Sequence, residues 1–414
     1  MKKDLDALMQ SHQLDALLVV GPGSHNPPIT YLTNGADLTQ AILIKKRGQQ
    51  PTLFHWSMER DEAAKSGLPT RDLSEFRLDL LLQQAGGDQT LGMVHLLEKI
   101  LTELGVAPGR VGLYGILDAG RAYATFTRLQ QALPELELVG ETGVSVFGRA
   151  MATKDEVEVE RMRRMGKITT DVIGETADFL TGHRARNGAL IKANGDPLTI
   201  GEVKRRIDLW LAERGAENPE RTIFASGYDA AVPHSTGDNA SPLRLGETVI
   251  FDIFPREVGG GYFHDITRTW CLGYATDEAL ALYEDVHSVY RQISSELRLG
   301  EVCRLYQERA CEMFEERGHA TLRTNPQTQE GYVHSLGHGV GLHIHEEPFF
   351  RLNGPDSDRL TPGAVITIEP GLYYPGRKMG VRLEDTYYAR PDGVFETLAE
   401  YPLDLVLPVK GASD

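Results

Sequence analysis

Four carboxylates and one imidazole sit between positions 252 and 384 in surroundings where charged side chains are rare. Asp252 lies in Val249-Ile250-Phe251-Asp252-Ile253-Phe254, and Asp265 opens Asp265-Ile266-Thr267-Arg268-Thr269. His338 sits in the glycine-rich run His334-Ser335-Leu336-Gly337-His338-Gly339-Val340-Gly341-Leu342-His343-Ile344-His345-Glu346. Glu369 follows Ile366-Thr367-Ile368, and Glu384 stands in Val381-Arg382-Leu383-Glu384-Asp385. Carboxylates placed on apolar strands must be paired or must bind a metal, because an isolated buried charge is costly. The four acids carry four negative charges, which two divalent cations would neutralise. Oxygen ligands with a single imidazole suit Mn²⁺ best, with Co²⁺ or Zn²⁺ as substitutes. Two ions ~3.5–4 Å apart would share a water, make it a hydroxide near neutral pH, and leave one ion to polarise a carbonyl. Such a site hydrolyses amides or esters.

The spacing also predicts how these residues meet. A two-residue turn at Val258-Gly259 would set Asp252 across from Asp265 on one face of a hairpin, with the glycines allowing a bulge. Glu369 and Glu384 are brought together by a second hairpin whose connection carries Pro375-Gly376 and Gly380. Asp385 then points to the opposite face and reads as a structural acceptor. His334 and His338 share strand parity; His345 needs a bulge or turn to join them. His343 and His264 read as structural.

The remaining chain must position these segments. At 414 residues it predicts two domains, 1–150 and 151–414. The first reads as α/β. A short helix spans 4–11, strands cover Leu14–Val20, Ala41–Ile44, Thr52–Phe54, Arg110–Tyr114 and Leu136–Val139, and helices run near Val94–Leu104 and Arg121–Leu133. Gly21–Pro28 reads as a loop. The second reads as α+β, helix pair then strands, twice over. A long charged helix runs from Lys154 towards Leu180, then Leu198–Arg214, a strand at Thr222–Ala225, the Thr248–Trp270 hairpin, helices near Thr276–Leu297 and Val302–Arg317, and the glycine-rich and glutamate strands.

Composition narrows the partners. Hydrophobic residues make 41% of the chain and charged ones 25%, as in a soluble globular protein. A net charge of −16 argues against nucleic acid or an anionic membrane as partner. Cys271, Cys303 and Cys311 are too few and irregular for a disulfide framework, and the latter two should face a helix-packed core. Neither a signal peptide nor an 18-residue apolar run is read, so a cytoplasmic location is expected.

The order Asp252, Asp265, His338, Glu369, Glu384, in the contexts Asp-Ile-Thr-Arg-Thr, His-Gly-Val-Gly-Leu, Glu-Pro-Gly-Leu and Arg-Leu-Glu-Asp, resembles the pita-bread metallopeptidases: aminopeptidase P, prolidase, methionine aminopeptidase and the metal-free creatinase. The resemblance covers roughly residues 150–410, and the first 150 resemble the creatinase/prolidase amino-terminal domain. It implies an α/β amino-terminal domain followed by an α+β pita-bread catalytic domain with a pseudo-twofold repeat. It implies that Asp252 chelates one metal, Asp265 and Glu384 bridge both, and His338 and Glu369 complete the ligand set of the second metal, Glu369 also handling the water's proton. His234 matches a substrate-side histidine, His345 and His334 match those at the scissile carbonyl and the proline side, and Arg382 matches an arginine near the site. Asp252 and Asp265 lie 13 apart, two more than the family pattern, as in a bacterial prolidase-like subset with Asp-Ile-Phe-Pro-Arg.

The implied reaction is metal-dependent hydrolysis of a Xaa-Pro bond in a small peptide, first as a dipeptidase. Aminopeptidase P action on longer peptides is the alternative; a non-catalytic binding module and a creatinase-type amidinohydrolase are remoter ones. A dipeptidase must hold a free carboxylate, for which Arg382, Arg377, Lys378, His234 and His345 are the candidate cations. The resemblance also implies a homodimer, in which the Gly21–Pro28 loop would limit substrate length.

Overall fold

The computed structural model describes residues 4–410. They divide after Met151 into two compact units, the hairpin tip Gly259–Gly261 being grouped with the first.

The first unit is built on a six-stranded mixed sheet. Its order is Thr70–Asp72, Thr52–His55, Ala41–Lys46, Ala16–Gly21, Gly109–Gly115, Leu136–Val139. Ala16–Gly21 is an unbroken apolar run with every residue buried, as a central strand covered on both faces requires. Helices Gln89–Glu103 and Ala119–Ala132 start at Asp88 and Asp118, whose side chains accept from backbone N–H groups of the first turn. Such caps contribute about 1 kcal/mol each. Leu18, Ile44, Phe54, Leu97, Ile100 and Leu129 meet in the core between them. The loop expected at Gly21–Pro28 gives way at its end to a helix, Pro27–Thr33, because proline is preorganised for a first helical turn.

The second unit uses one recipe twice. Helices Glu156–Thr181 and Ile200–Glu213 pack on a sheet of Ile223–Ser226, Thr248–Ile253, Ile266–Leu272 and Val406–Leu407 through Val172, Ile207, Phe251 and Trp270. Asp155 and Glu158 close a capping box at the start of the long helix. Helices Asp277–Glu296 and Cys303–Glu316 pack on Glu346–Phe349, His338–Gly339, Val365–Ile368, Asp385–Ala389 and Phe395–Thr397 through Val286, Phe314, Ile366 and Leu383. This is the pita-bread arrangement with its pseudo-twofold repeat. The two sheets meet where Thr267 and Glu384 exchange backbone hydrogen bonds of 3.3 and 3.1 Å. All three cysteines are free and buried. Among the described residues no helix is long and apolar enough to cross a membrane.

Candidate metal centre and active-site cavity

The first hairpin differs from its expected register. Asp252 pairs with Thr267 and Ile253 with Ile266, and the ladder continues to Arg256 opposite Phe263. Asp252 and Asp265 are therefore one pair out of step, not directly opposed. The turn spans four residues rather than two: Glu257 N–H donates to the Tyr262 carbonyl at 3.1 Å, and Gly259 and Gly260 both take φ +87°. Because the shift is two residues, strand parity is kept and both carboxylates reach the same face.

The second hairpin follows the expected logic. Ile368 pairs with Asp385 and Gly371 with Arg382, a single register that sets Glu369 opposite Glu384. The strand bridge to Thr267 then places Glu384 beside Asp265. His338 arrives on a two-residue strand against Val365–Ile368, where Gly337 is required because a Cβ would come 2.0 Å from the Thr367 carbonyl oxygen. Glu369 N–H donates to the Leu336 carbonyl at 2.8 Å, fixing the glycine-rich run to the glutamate strand.

All five residues line one cavity of about 680 Å³ within this unit, joined there by His234, His334, His345 and Arg382. One ligand atom each from Asp265, His338 and Glu384 lies within 4.8 Å of the others. His338 Nε2 is 3.6 Å from Glu369 Oε1 and 3.8 Å from Asp265 Oδ2. Its Nδ1–H donates to the Gly339 carbonyl at 3.0 Å, which leaves the Nε2 lone pair facing the acids.

Asp252 Oδ1, Asp265 Oδ1 and Glu384 Oε1 are buried without a hydrogen-bond partner. Orphaned carboxylate oxygens are costly, and three of them lining one cavity with the His338 imidazole form a donor set that divalent cations would satisfy. Burial and the neighbouring Asp252 and Glu369 charges push the Asp265 carboxyl well above its usual range. Burial and Asp265 do the same to Glu384, and burial pushes Glu369 up to about 8. Burial and the adjacent His345 hold His338 down near 3, so its imidazole is neutral. The protein alone does not support this much negative charge; cations would reverse the carboxyl shifts and keep the His338 imidazole neutral.

Arg382 is more deeply engaged than its sequence context implied. Its guanidinium donates to Asp252 Oδ2 at 2.5 Å and to the Tyr373 hydroxyl at 2.7 Å. That hydroxyl in turn meets His334 Nε2 at 2.9 Å, while His334 Nδ1–H donates to the Ser335 carbonyl at 2.7 Å. Both His334 nitrogens are thus occupied, and the ring forms a wall of the cavity rather than a free donor. His345 lies edge-on to His338, ring centroids 4.4 Å apart, and with His234 stands exposed at the cavity. Arg377 and Lys378 do not line it; Arg377 lies over the Tyr374 ring. The cavity's other cations are Arg221 and Arg351, the latter stacked 3.9 Å over Phe349. Neither has a sequence signal: each lies in an ordinary polar stretch, and only the tertiary fold brings it to the cavity.

Behind the cavity, Asp385 faces away and accepts from Arg268 at 2.8 Å and from the Tyr290 hydroxyl. Arg268 was legible as an anomaly: it is the charge in Ile266–Leu272, a strand buried at every position.

Residues 160–391 match the model of metallopeptidase family M24, and residues 2–146 match the Creatinase/Prolidase N-terminal domain. A Xaa-Pro dipeptidase of Pyrococcus horikoshii is 25% identical over 400 residues, 94% of each chain. A probable dipeptidase PepE of Mycobacterium tuberculosis is 30% identical over 290 residues, 68% of this chain and 70% of its own. The solved X-Pro aminopeptidase of Thermotoga maritima has the same fold, with a TM-score of 0.74 at 23% identity over 95% of this chain and 97% of its own. With its five-residue signature intact and more than half its length matched, the chain belongs to metallopeptidase family M24.

Proposed function

We propose that this protein is a Xaa-Pro dipeptidase whose ions are held by Asp252, Asp265, His338, Glu369 and Glu384. The observation that carries the reading is that Asp252, Asp265 and Glu384, each with a partnerless carboxylate oxygen, line one cavity in which Asp265 and Glu384 come within 4.8 Å of His338. Bound there, divalent ions supply a deprotonated water at neutral pH and polarise the scissile carbonyl. Glu369, opening on the cavity beside His338, takes the proton from the attacking water and returns it to the leaving nitrogen. His345 and His234 hold the substrate carbonyl from the rim, and the His334 ring packs against the proline side. Arg382 holds Asp252 in place.

Proline lacks an N–H and restricts the residue before it, so a Xaa-Pro bond calls for its own pocket. The cavity is of a size for a small peptide. Arg221 and Arg351 have no carboxylate partner among the described residues and are suited to the free carboxylate of a dipeptide. Relatives named dipeptidase support the same reading. Manganese as the resident ion, a cytoplasmic setting and a homodimer in which Gly21–Pro28 limits substrate length belong to this proposal.

Aminopeptidase P action is the second reading, favoured by the likeness to the Thermotoga enzyme. Rates of Mn²⁺-dependent release from Ala-Pro and from Ala-Pro-Ala separate the two. A dipeptidase cuts Ala-Pro and leaves the tripeptide nearly untouched; cleavage of the tripeptide alone overturns the assignment.

A further inference from the structure

The first unit contains a cavity of its own, about 400 Å³, lined entirely by residues before position 127. It is lined at the carboxyl end of the central strand Ala16–Gly21 by Val20 and Gly21, by Ala41 and Ile42 of the antiparallel neighbour Ala41–Lys46, and by Leu117 just beyond the parallel neighbour Gly109–Gly115. In open α/β sheets the crevice beyond the carboxyl ends of the strands, where the chain's course divides to either side, is where ligands bind. We propose that this cavity is a second small-molecule site, selective for an amphipathic carboxylate: a medium-length alkyl or aryl tail with one acidic head. It is independent of the substrate assigned to the second unit.

Three features carry the proposal. First, the walls are apolar but incompletely covered. Leu73 and Leu97 belong to the buried core, whereas Trp56, Leu82, Met93 and Phe126 are half-buried and turn apolar surface to the opening. Apolar surface left facing a concave space gains from an apolar occupant at ~25 cal/mol per Å².

Second, the helix Leu78–Gln84 reads Leu-Asp-Leu-Leu-Leu-Gln-Gln, yet none of its residues is buried. It lends Leu78 and Leu82 to the cavity wall. It is bounded by residues with left-handed backbone, Arg77 at φ +54° and Gly86 at φ +62°. Leu78 and Leu81 pack against the core yet stay half-buried, so the helix is an incomplete cover over the cavity.

Third, the charge on the wall is positive and unengaged. Arg121 is the charged lining residue, and no hydrogen bond or ion pair occupies its guanidinium among the described residues. The nearest acid in sequence, Asp118, is committed to the Arg121 backbone N–H at 2.9 Å as the helix cap. Asp88, which caps the neighbouring helix, accepts from Thr90 and Leu91 and lies 3.7 Å from Arg128. Both helix ends are therefore capped, and the head group's partner is the guanidinium, which suits a planar carboxylate.

The test uses the full-length protein titrated with octanoate and, in parallel, with 1-octanol, followed by calorimetry and by the fluorescence of Trp56 in the wall. The expected result is saturable octanoate binding, one per chain, with octanol bound at least tenfold more weakly; a charge-assisted hydrogen bond lost is worth about that factor or more. Arg121→Gln should weaken octanoate by a similar factor, leave octanol unchanged, and leave peptide hydrolysis at the wild-type rate. Trp56→Phe should remove the fluorescence change and keep the heat. No saturable octanoate binding, or equal binding of acid and alcohol to the wild-type protein, overturns the proposal, as does an affinity for octanoate unaffected by Arg121→Gln. Peptidase assays with Ala-Pro are read separately, so failure here leaves the reading of the second unit untouched.

Discussion

Glu384 and Asp385 are neighbours in sequence, equally buried, and belong to opposite kinds of polar cluster. Asp385 spends both oxygens inside the protein, one on Arg268 and one on Tyr290. Tyr290 passes the network on to Tyr387 at 2.7 Å, and Tyr387 to Ser294 at 3.0 Å. The remaining Arg268 donors go to the carbonyls of Thr267, Glu384, Tyr401 and Pro402. Glu384, one residue earlier, has one oxygen on the Thr267 hydroxyl at 2.7 Å and the other on nothing, alongside orphaned oxygens of Asp252 and Asp265. A closed network is architecture, and an open one is a receptor awaiting a partner from outside. The closed cluster also holds the open one in place, since Arg268 Nη1 grips the Glu384 carbonyl at 2.7 Å.

Three substitutions or conditions sharpen this contrast. The largest effect is expected in the open cluster: Glu369→Gln should lower the rate of Ala-Pro hydrolysis by ~10²–10⁴, the range for removal of a proton-transfer group, with the circular dichroism spectrum unchanged. A rate within a few-fold of wild type removes Glu369 from the mechanism. In the closed cluster the cost should fall on stability instead. Arg268→Met leaves the Asp385 carboxylate buried beside uncapped carbonyls and should cost about 3–5 kcal/mol in urea unfolding. If stability is unchanged and only turnover falls, the division into architecture and receptor is wrong.

The third effect is smaller and depends on pH. In metal-free protein the folded Glu369 carboxyl titrates at about 8, against an ordinary 4.5, and Asp265 and Glu384 are raised as well. Below about pH 6.5 the buried neutral histidines His264, His334 and His338 oppose the effect of these carboxyls on stability. Above about pH 7 all histidines are neutral in both states; there the folded state holds more protons than the unfolded one, and stability falls as pH rises. The contribution is whole below about pH 4.5 and is lost by the time pH passes about 8. Thermal melts of chelator-treated protein from about pH 7 to about pH 9 should move down with pH, and saturating Mn²⁺ should flatten the trend. A chelated protein that becomes more stable from about pH 7 to about pH 9 contradicts the assignment of raised carboxyls.

Much of this was legible before the fold was seen, and the reasons are local. Glu369 and Glu384 are joined by a short hairpin whose strands pair in a single register, so spacing alone brings them face to face. Asp385 had to point the other way once Glu384 pointed in. The Asp252–Asp265 opposition failed because two glycines allow either a two- or a four-residue turn, and hydrogen bonding of Glu257 to Tyr262 selects the longer. Parity survived, which is why the site survived. His334 was placed in the cavity, but the occupation of both its nitrogens depends on Tyr373, 39 positions away, and sequence spacing is silent on that. Arg221 and Arg351 escape a sequence reading for the same reason, whereas Arg377 and Lys378, expected as cations for the substrate carboxylate, do not line the cavity. The helix Leu78–Gln84 was invisible because seven residues give too few turns to establish a period.

The central claim is that the open cluster is a cation receptor, and counting ions tests it most directly. Protein stripped with a chelator and dialysed against Mn²⁺ is analysed for metal by atomic emission, beside Glu384→Gln treated identically. The account predicts two ions per chain in the wild type and fewer in the variant, with the variant folded. A wild-type chain that retains no metal, or a variant that retains as much as the wild type, would contradict it.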